Sequence, residues 1–325
     1  MRAGARATIV STSDVQLEMS RRCTRNEEWR ERNGPIGSHV RVGIERIEKL
    51  SWRDDDANDT MSKPLLPLSP ETNERLAGSP LVVMLDVDGT LAPIAQMFDQ
   101  ARVPVETQEA IASLVARPNV HIALVTGRGA ATARRMVGVS NLWVVGNHGF
   151  EIEGPTGQDF ADPGVAKYRE VIATAARRLQ PRVSSMGGVI IENKAITLSV
   201  HWRLARADIA PTLRKVVDEV AESLGLRVSE GKRIFEIKPP ALIDKGTAVL
   251  GLAERLTSER DGASIVFAGD DITDEDAIRA LRSHHPRAVT IRVVGEENPP
   301  TEAEFSLHGT EAMRQFLEEL ARSRG

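Results

Sequence analysis

The sequence predicts an α/β fold, a doubly wound and mainly parallel sheet with an inserted α+β cap, and three observations carry that prediction. Apolar runs of five or six residues alternate with stretches of helical spacing and end abruptly in polar residues, as the buried strands of a parallel sheet do. Between about Gly154 and Pro240 this grammar gives way to helix, hairpin, helix, hairpin, and from Leu242 the first grammar resumes. Several apolar runs also deliver chemistry-bearing side chains at their carboxyl ends, where open α/β sheets gather their ligands.

Taken in order, Met1 to about Pro80 is charge-mixed and poorly patterned, and we expect residues 1–78 to be a disordered or weakly structured extension. The apolar run Leu81–Leu85 then empties into Asp86 and Asp88, with Gly89 allowing a sharp turn and Thr90 adding a hydroxyl. The following LAPIAQMF lacks the alternation of a hairpin's return strand, which argues against a simple Asp-Gly turn. One carboxylate at a strand end can attack phosphorus, and a second two residues on faces another way and can handle protons. Helical spacing over Thr107–Ala116, a strand over Val120–Val125 ending in Thr126-Gly127-Arg128, a helix over Ala130–Val137 and a strand over Leu142–Val145 ending in Gly146-Asn147-His148-Gly149 complete the first half.

In the insert, Tyr168–Leu179 and Asp208–Leu224 are amphipathic, and GVIIENK, AITLSVHWR, LRVSE and RIFEIKP alternate as paired strands. Then follow a helix announced by Asp244, the strand Ser264–Gly269, the acidic run Asp270 to Asp276, the strand AVTIRVV and a closing helix over Glu311–Ala321. The resulting division is a core of 79–153 and 241–325 with a cap of 154–240.

The acidic run has two readings. Thr273 followed by Asp276 is a capping-box variant that starts a helix, which leaves Asp270, Asp271 and Asp274 unexplained. Like charges about 4 Å apart repel by roughly 4 kcal/mol at a surface-like dielectric, so converging carboxylates call for a cation. Oxygen ligation with open water positions suits Mg2+. Thr126 can cap the helix behind it or hold a phosphoryl oxygen. Lys245 can be a solvated lysine, but a cation near a helix start is unfavourable unless an anion lies beside it.

The 325 residues allow two compact units, the formal net charge of -4 leaves no basic footprint for nucleic acid or an anionic membrane, and Cys23 has no partner for an internal disulfide. With no apolar run of about 18 residues, the expectation is a cytoplasmic protein with a small-molecule partner.

DVDGT, Thr126, Lys245 and GDDITD occur in the order of the four motifs of haloacid dehalogenase-like phosphatases, which the chain resembles. GNHG at 146–149, IENK at 191–194, HWR at 201–203, GKRIFEIKP at 231–239 and GDDITDED at 269–276 narrow the resemblance to the trehalose-6-phosphate phosphatase family. One departure is Thr126, where that family often has serine; the hydroxyl is kept. The resemblance implies hydrolysis of trehalose 6-phosphate with Asp86 as nucleophile, Asp88 as acid and base, and Thr126 and Lys245 on the phosphoryl oxygens. It implies Mg2+ on Asp86, the Asp88 carbonyl and Asp270, supported by Asp271 or Asp274. Sugar contacts would fall to Arg128, His148, Glu192, Lys194, His201, Arg203, Lys232 and Glu236, and a trehalose-phosphate synthase would be a functional partner. ENK and GKR can also be ordinary turns, and a lone histidine such as His148 can be structural. A sucrose 6-phosphate or mannosyl phosphate phosphatase, a phosphomutase and a non-catalytic sugar-phosphate sensor are the competing expectations.

Overall fold

The structure is a computed structural model that describes residues 63–95, 100–158, 160, 163–231, 233–257, 262–295 and 299–324. Its organising strand is β2 (Leu81–Leu85), buried at every position and flanked on both sides by parallel neighbours. Along it the side chains alternate. Leu81, Val83 and Leu85 join one apolar core, and Val82 and Met84 join another on the opposite face. An unbroken apolar run is therefore what a strand covered by helices on both faces requires.

From β2 the chain passes through α2 (Val105–Val115) to β3 (Val120–Val125), and through α3 (Ala130–Val137) to β4 (Trp143–Gly146) and the antiparallel edge strand β5 (Glu151–Glu153). After the insert it returns on the other side with α7 (Lys245–Thr257), β10 (Ser264–Gly269), α8 (Asp274–His284), β11 (Val289–Val294), β12 (Phe305–His308) and α9 (Gly309–Ser323). The eight strands lie in the order β1-β12-β11-β10-β2-β3-β4-β5, with β1 at Lys63–Pro64. The sheet order thus reverses direction at β2, and the crevice at that switch point is where a ligand is expected. One core holds Ile111, Leu114, Phe316 and Leu317 of α2 and α9; the other holds Val249, Leu252, Ile278 and Leu281 of α7 and α8.

The insert follows a short helix, α4 (Pro163–Ala166), and comprises α5 (Tyr168–Val183), β6 (Ile190–Asn193), β7 (Leu198–His201), α6 (Ala210–Ser223), β8 (Arg227–Gly231) and β9 (Ile234–Lys238). Its four strands are antiparallel in the order β6-β7-β9-β8. Period-two alternation sorts their side chains: Leu198, Val200, Phe235 and Ile237 pack on Ile172, Leu179, Leu213 and Val217 of the two helices. The opposite face carries Glu192, Ser199 and Glu236, aligned across β6, β7 and β9 by the register. A sheet with one apolar and one polar face is a cap whose polar side is free to meet a ligand.

Three expectations need correcting. Of the weakly structured extension, residues 1–62 lie outside the described residues, but Lys63 to Leu76 is folded. There β1 pairs with β12, and α1 (Pro70–Leu76) starts on Ser69, whose hydroxyl accepts the Thr72 N–H at 3.1 Å, while Leu65 and Leu76 are buried in the core. The start signal stands in the sequence, a capping serine with proline at the first helical position. The capping box at Thr273 does not form, because that residue is already helical and makes no side-chain cap bond. The Asp274 carboxylate instead accepts the Asp271 N–H at 2.9 Å. Finally, β5 and β12 were not anticipated, being too short for periodicity to register. Among the described residues no helix is long and apolar enough to cross a membrane.

Candidate active site

The end of β2 carries Asp86 into a buried position, where its N–H bonds the Ala268 carbonyl at 2.9 Å and so holds it beside the end of β10. Lys245, the first residue of α7, is 3 % exposed and reaches Asp86 Oδ1 and Asp274 Oδ1, both at 2.7 Å. Its place at a helix start is thereby accounted for, since two carboxylates supply the anionic surroundings that site demands. Burial alone would lower the Lys245 ammonium, but Asp274 and Asp86 outweigh it and raise it above its ordinary value.

Asp86, Asp270 and Asp274 each offer an oxygen within 4.8 Å of the other two. One ammonium cannot neutralise three carboxylates. Burial, with Asp274 and Asp270 adding to it, raises Asp86 well above the usual carboxylate range despite Lys245. Burial, then Asp274 and Asp271, pushes Asp270 up to about 7. Asp270 Oδ1 is buried without a hydrogen-bond partner, as is Thr90 Oγ1. An acidic, all-oxygen set with an orphaned buried acceptor fits a hard divalent cation. Asp271 lies apart from this set: it is exposed, and its carboxylate accepts the Ile272 N–H at 2.7 Å.

Gly89 shows why the motif needs glycine. Its φ is 82°, and a Cβ there would fall 2.0 Å from Asp270 Oδ2, so a side chain would push the carboxylate out of place. One residue earlier, Asp88 is gripped by Arg128, whose Nε and Nη2 each donate to a carboxylate oxygen at 2.6 Å. This two-point pair fixes the plane of the Asp88 carboxylate. Thr126 is buried at the end of β3, and its hydroxyl accepts the Arg128 N–H at 3.1 Å.

The polar face of the cap sheet closes on this end of the core. Lys194, just after β6, donates to the Gly127 carbonyl at 3.0 Å and pairs with Glu236 at 3.2 Å. Glu236 also meets His148 at 3.1 Å and Lys238 at 2.7 Å. Burial would raise the Glu236 carboxyl, but His148, Lys194 and Lys238 more than offset it and hold it well below the usual range. Burial lowers His148, with Glu236 pulling the other way. Nearby His201 bonds Glu192 at 2.9 Å. Burial would raise Glu192, yet the His201 hydrogen bond, Lys194 and Arg128 together hold it below its ordinary value.

Among the described residues expected to contact the sugar, Arg203 is the exposed one, donating to the Ala95 carbonyl at 3.4 Å. Lys232 lies outside the described residues. Two residues escaped the sequence reading. Asn147 is fully buried with φ 50°, donates to the Lys194 carbonyl at 3.1 Å and accepts the Thr197 hydroxyl at 2.7 Å, pinning the β6–β7 turn to the core. The GNHG motif contained it, but nothing there announced its partners. Lys238 was legible in principle, because period two in RIFEIKP puts it on the face of Glu236.

Residues 84–311 match the sequence model of a family described as trehalose-phosphatase. A trehalose-phosphate phosphatase of Mycolicibacterium paratuberculosis is 31 % identical over 295 residues, covering 90 % of this chain and 75 % of that one. One of Mycobacterium avium is 34 % identical over 249 residues, covering 76 % of this chain and 63 % of that one. Among solved structures, a trehalose-6-phosphate phosphatase related protein is 27 % identical with a TM-score of 0.65, covering 74 % of this chain and 97 % of that one. The C-terminal domain of the Candida albicans trehalose-6-phosphate phosphatase is 20 % identical with a TM-score of 0.66, covering 81 % of this chain and 99 % of that one, a likeness of fold.

Proposed function

The chain belongs to the trehalose-phosphatase family, and from that premise we propose that it hydrolyses trehalose 6-phosphate in two steps through a phospho-aspartate on Asp86. In the first step a carboxylate oxygen of Asp86 attacks phosphorus, the bond to the sugar oxygen breaks, and Asp88 gives that oxygen its proton. In the second, Asp88 takes a proton from water, whose oxygen attacks the phosphorus and releases phosphate and the free carboxylate. Splitting the reaction lets one residue act as acid and then base. Arg128 orients the Asp88 carboxylate before the ester arrives; turning its guanidinium to the ligand would release the Asp88 oxygen that carries the proton. Lys245 and the Thr126 hydroxyl meet the phosphoryl oxygens as charge moves onto them.

Asp86, Asp270 and Asp274 are the residues that would hold a divalent cation, and Mg2+ is the ion their chemistry favours. When bound, it would neutralise charge on the phosphoryl oxygens. Asp271, turned toward its own loop, would contribute only after a rotation. The observation that supports the sugar specificity is the docking of the polar cap face on the core: Glu236 of the cap meets His148 of the core at 3.1 Å and Lys194 at 3.2 Å. Charged groups already satisfied by one another can exchange those bonds for the hydroxyls of a disaccharide. Glu192 and His201 extend the same face, with Arg203 and Lys232 proposed at its rim. A synthase that forms the ester is the expected upstream partner, in the reducing cytosol that a chain with one cysteine suits.

The test is a substrate panel with and without Mg2+. Phosphate release is expected to be at least about 100-fold more efficient from trehalose 6-phosphate than from glucose 6-phosphate or sucrose 6-phosphate, because buried polar groups left unpaired by the wrong sugar penalise it. A flat panel would remove the sugar assignment, and turnover indifferent to chelation would remove the metal.

The raised Asp270 gives a second expected result. Near pH 7 its carboxyl in the metal-free protein is partly protonated, and only the carboxylate binds a cation. Mg2+ affinity should therefore climb as pH rises through about 7, and the ion should displace part of a proton on binding at pH 7. Calorimetric titrations in two buffers of different ionisation enthalpy check this: equal heats and a pH-independent affinity would contradict it.

A further inference from the structure

Behind the acidic loop lies a buried charged cluster that none of the steps above employs. Arg292 interrupts the apolar strand β11 and is paired in register with Gly269, the residue before Asp270. It is 3 % exposed, and its Nη1 donates to the Asp271 carbonyl at 3.0 Å and lies 3.4 Å from Glu275 Oε1. Glu275, 6 % exposed on the first turn of α8, accepts the Thr301 hydroxyl at 2.6 Å and the Glu302 N–H at 3.0 Å. The Asp271 carbonyl also accepts the Asp274 N–H at 3.1 Å. That one oxygen is thus the anchor of the turn running from Asp270 to Asp274.

Stability does not account for a buried arginine here. Desolvating an ion pair costs about as much as its attraction returns, and an apolar side chain of similar volume often does as well. Arg292 moreover leaves its Nε buried and unpartnered, a further cost. What an apolar residue could not do is donate to a main-chain carbonyl. Glu275 aims the guanidinium, and Thr301 and Glu302 hold Glu275 from the far side.

We infer that Arg292, oriented by Glu275, is a positioning residue for cation binding: it fixes the Asp271 carbonyl and through it the spacing of Asp270 and Asp274. The inference rests on the metal reading above. Removing a group that orients metal ligands typically weakens metal affinity by about 10- to 100-fold.

The experiment measures Mg2+ binding to the full chain by calorimetry and by the rise in Tm that Mg2+ produces, without turnover. Arg292→Met should bind Mg2+ at least about tenfold more weakly than the parent and show a smaller Mg2+-induced rise in Tm. Arg292→Lys, which keeps a donor but loses the fork, should fall between the two. KM for the sugar ester at saturating Mg2+ should stay within about twofold of the parent, as a residue acting only through the ligand loop requires. Should Arg292→Met fail to fold because Glu275 is left unpaired, Arg292→Met with Glu275→Gln removes both charges, and the same loss of affinity is expected. Parental Mg2+ affinity in either folded variant overturns the inference, whatever its Tm. A parent chain that binds no Mg2+ overturns the metal reading itself, a result distinguishable from the first.

Discussion

Asp86→Asn should lower phosphate release from trehalose 6-phosphate by at least about 10^4-fold, the scale on which removal of an attacking group acts. An amide in that place keeps the shape of the strand end and loses the nucleophile. The main-chain bond to Ala268 and the Lys245–Asp274 contact do not depend on the Asp86 charge. The variant should therefore fold, and in the absence of metal it should be more stable than the parent by about 1 kcal/mol, since one of three mutually repelling carboxylates is gone. Such a gain is the expected counterpart of an active site that stores repulsion until its ligands arrive. The check is twofold: acid-quenched reactions with labelled ester should leave phosphate on the parent protein and none on Asp86→Asn, and metal-free melting should rank the variant higher. Label retained on the variant would place the nucleophile elsewhere.

How far the site could be read from the sequence depends on the kind of signal. Strands buried on both faces write themselves as apolar runs, so β2, β3 and β10 and the residues at their ends stood out: Asp86, Thr126 and Asp270. Alternation gave the paired strands of the cap sheet, whereas Glu192, His201 and Glu236 became candidates only through the family resemblance. What sequence could not give was which partner each charge would find. The Arg128–Asp88 pair spans 40 positions, and that of Lys245 with Asp86 spans 159. Both arise only once strand order is fixed. Asn147 is the sharper case, because its role lies in two bonds across the boundary between core and cap, and no local pattern encodes them. Arg292 did carry a signal, a charged residue inside an otherwise buried strand, which is unusual enough to ask what it binds. Where elements were missed, at β1, β5 and β12, tertiary pairing made strands of segments too short for intrinsic preference to decide.

Lys245→Met tests the opposite balance, and its effects on activity and stability should both be large. Loss of a positive donor to the phosphoryl oxygens should reduce turnover by about 10^2- to 10^3-fold. Unlike Asp86→Asn it should also weaken the fold, by about 3–5 kcal/mol near pH 8, because two buried carboxylates lose their shared counter-ion. The sign of the pH dependence separates this from a simple packing defect. In the parent, the raised ammonium contributes stability that is fully present below about pH 10.4, its unfolded value, and is lost only as pH climbs beyond it. In the variant, Asp86, already raised by burial, would lose the Lys245 charge that holds it down, so the folded state binds a proton first. Stability should then fall as pH rises above about 4 and recover on acidification. Melting Lys245→Met between pH 5 and 8 should show Tm climbing toward acid relative to the parent, and adding Asp274→Asn should restore much of the loss at pH 8. A deficit constant across that range would mean that Lys245 fills space and nothing more, and would take from it the electrostatic role assigned at the phosphoryl group.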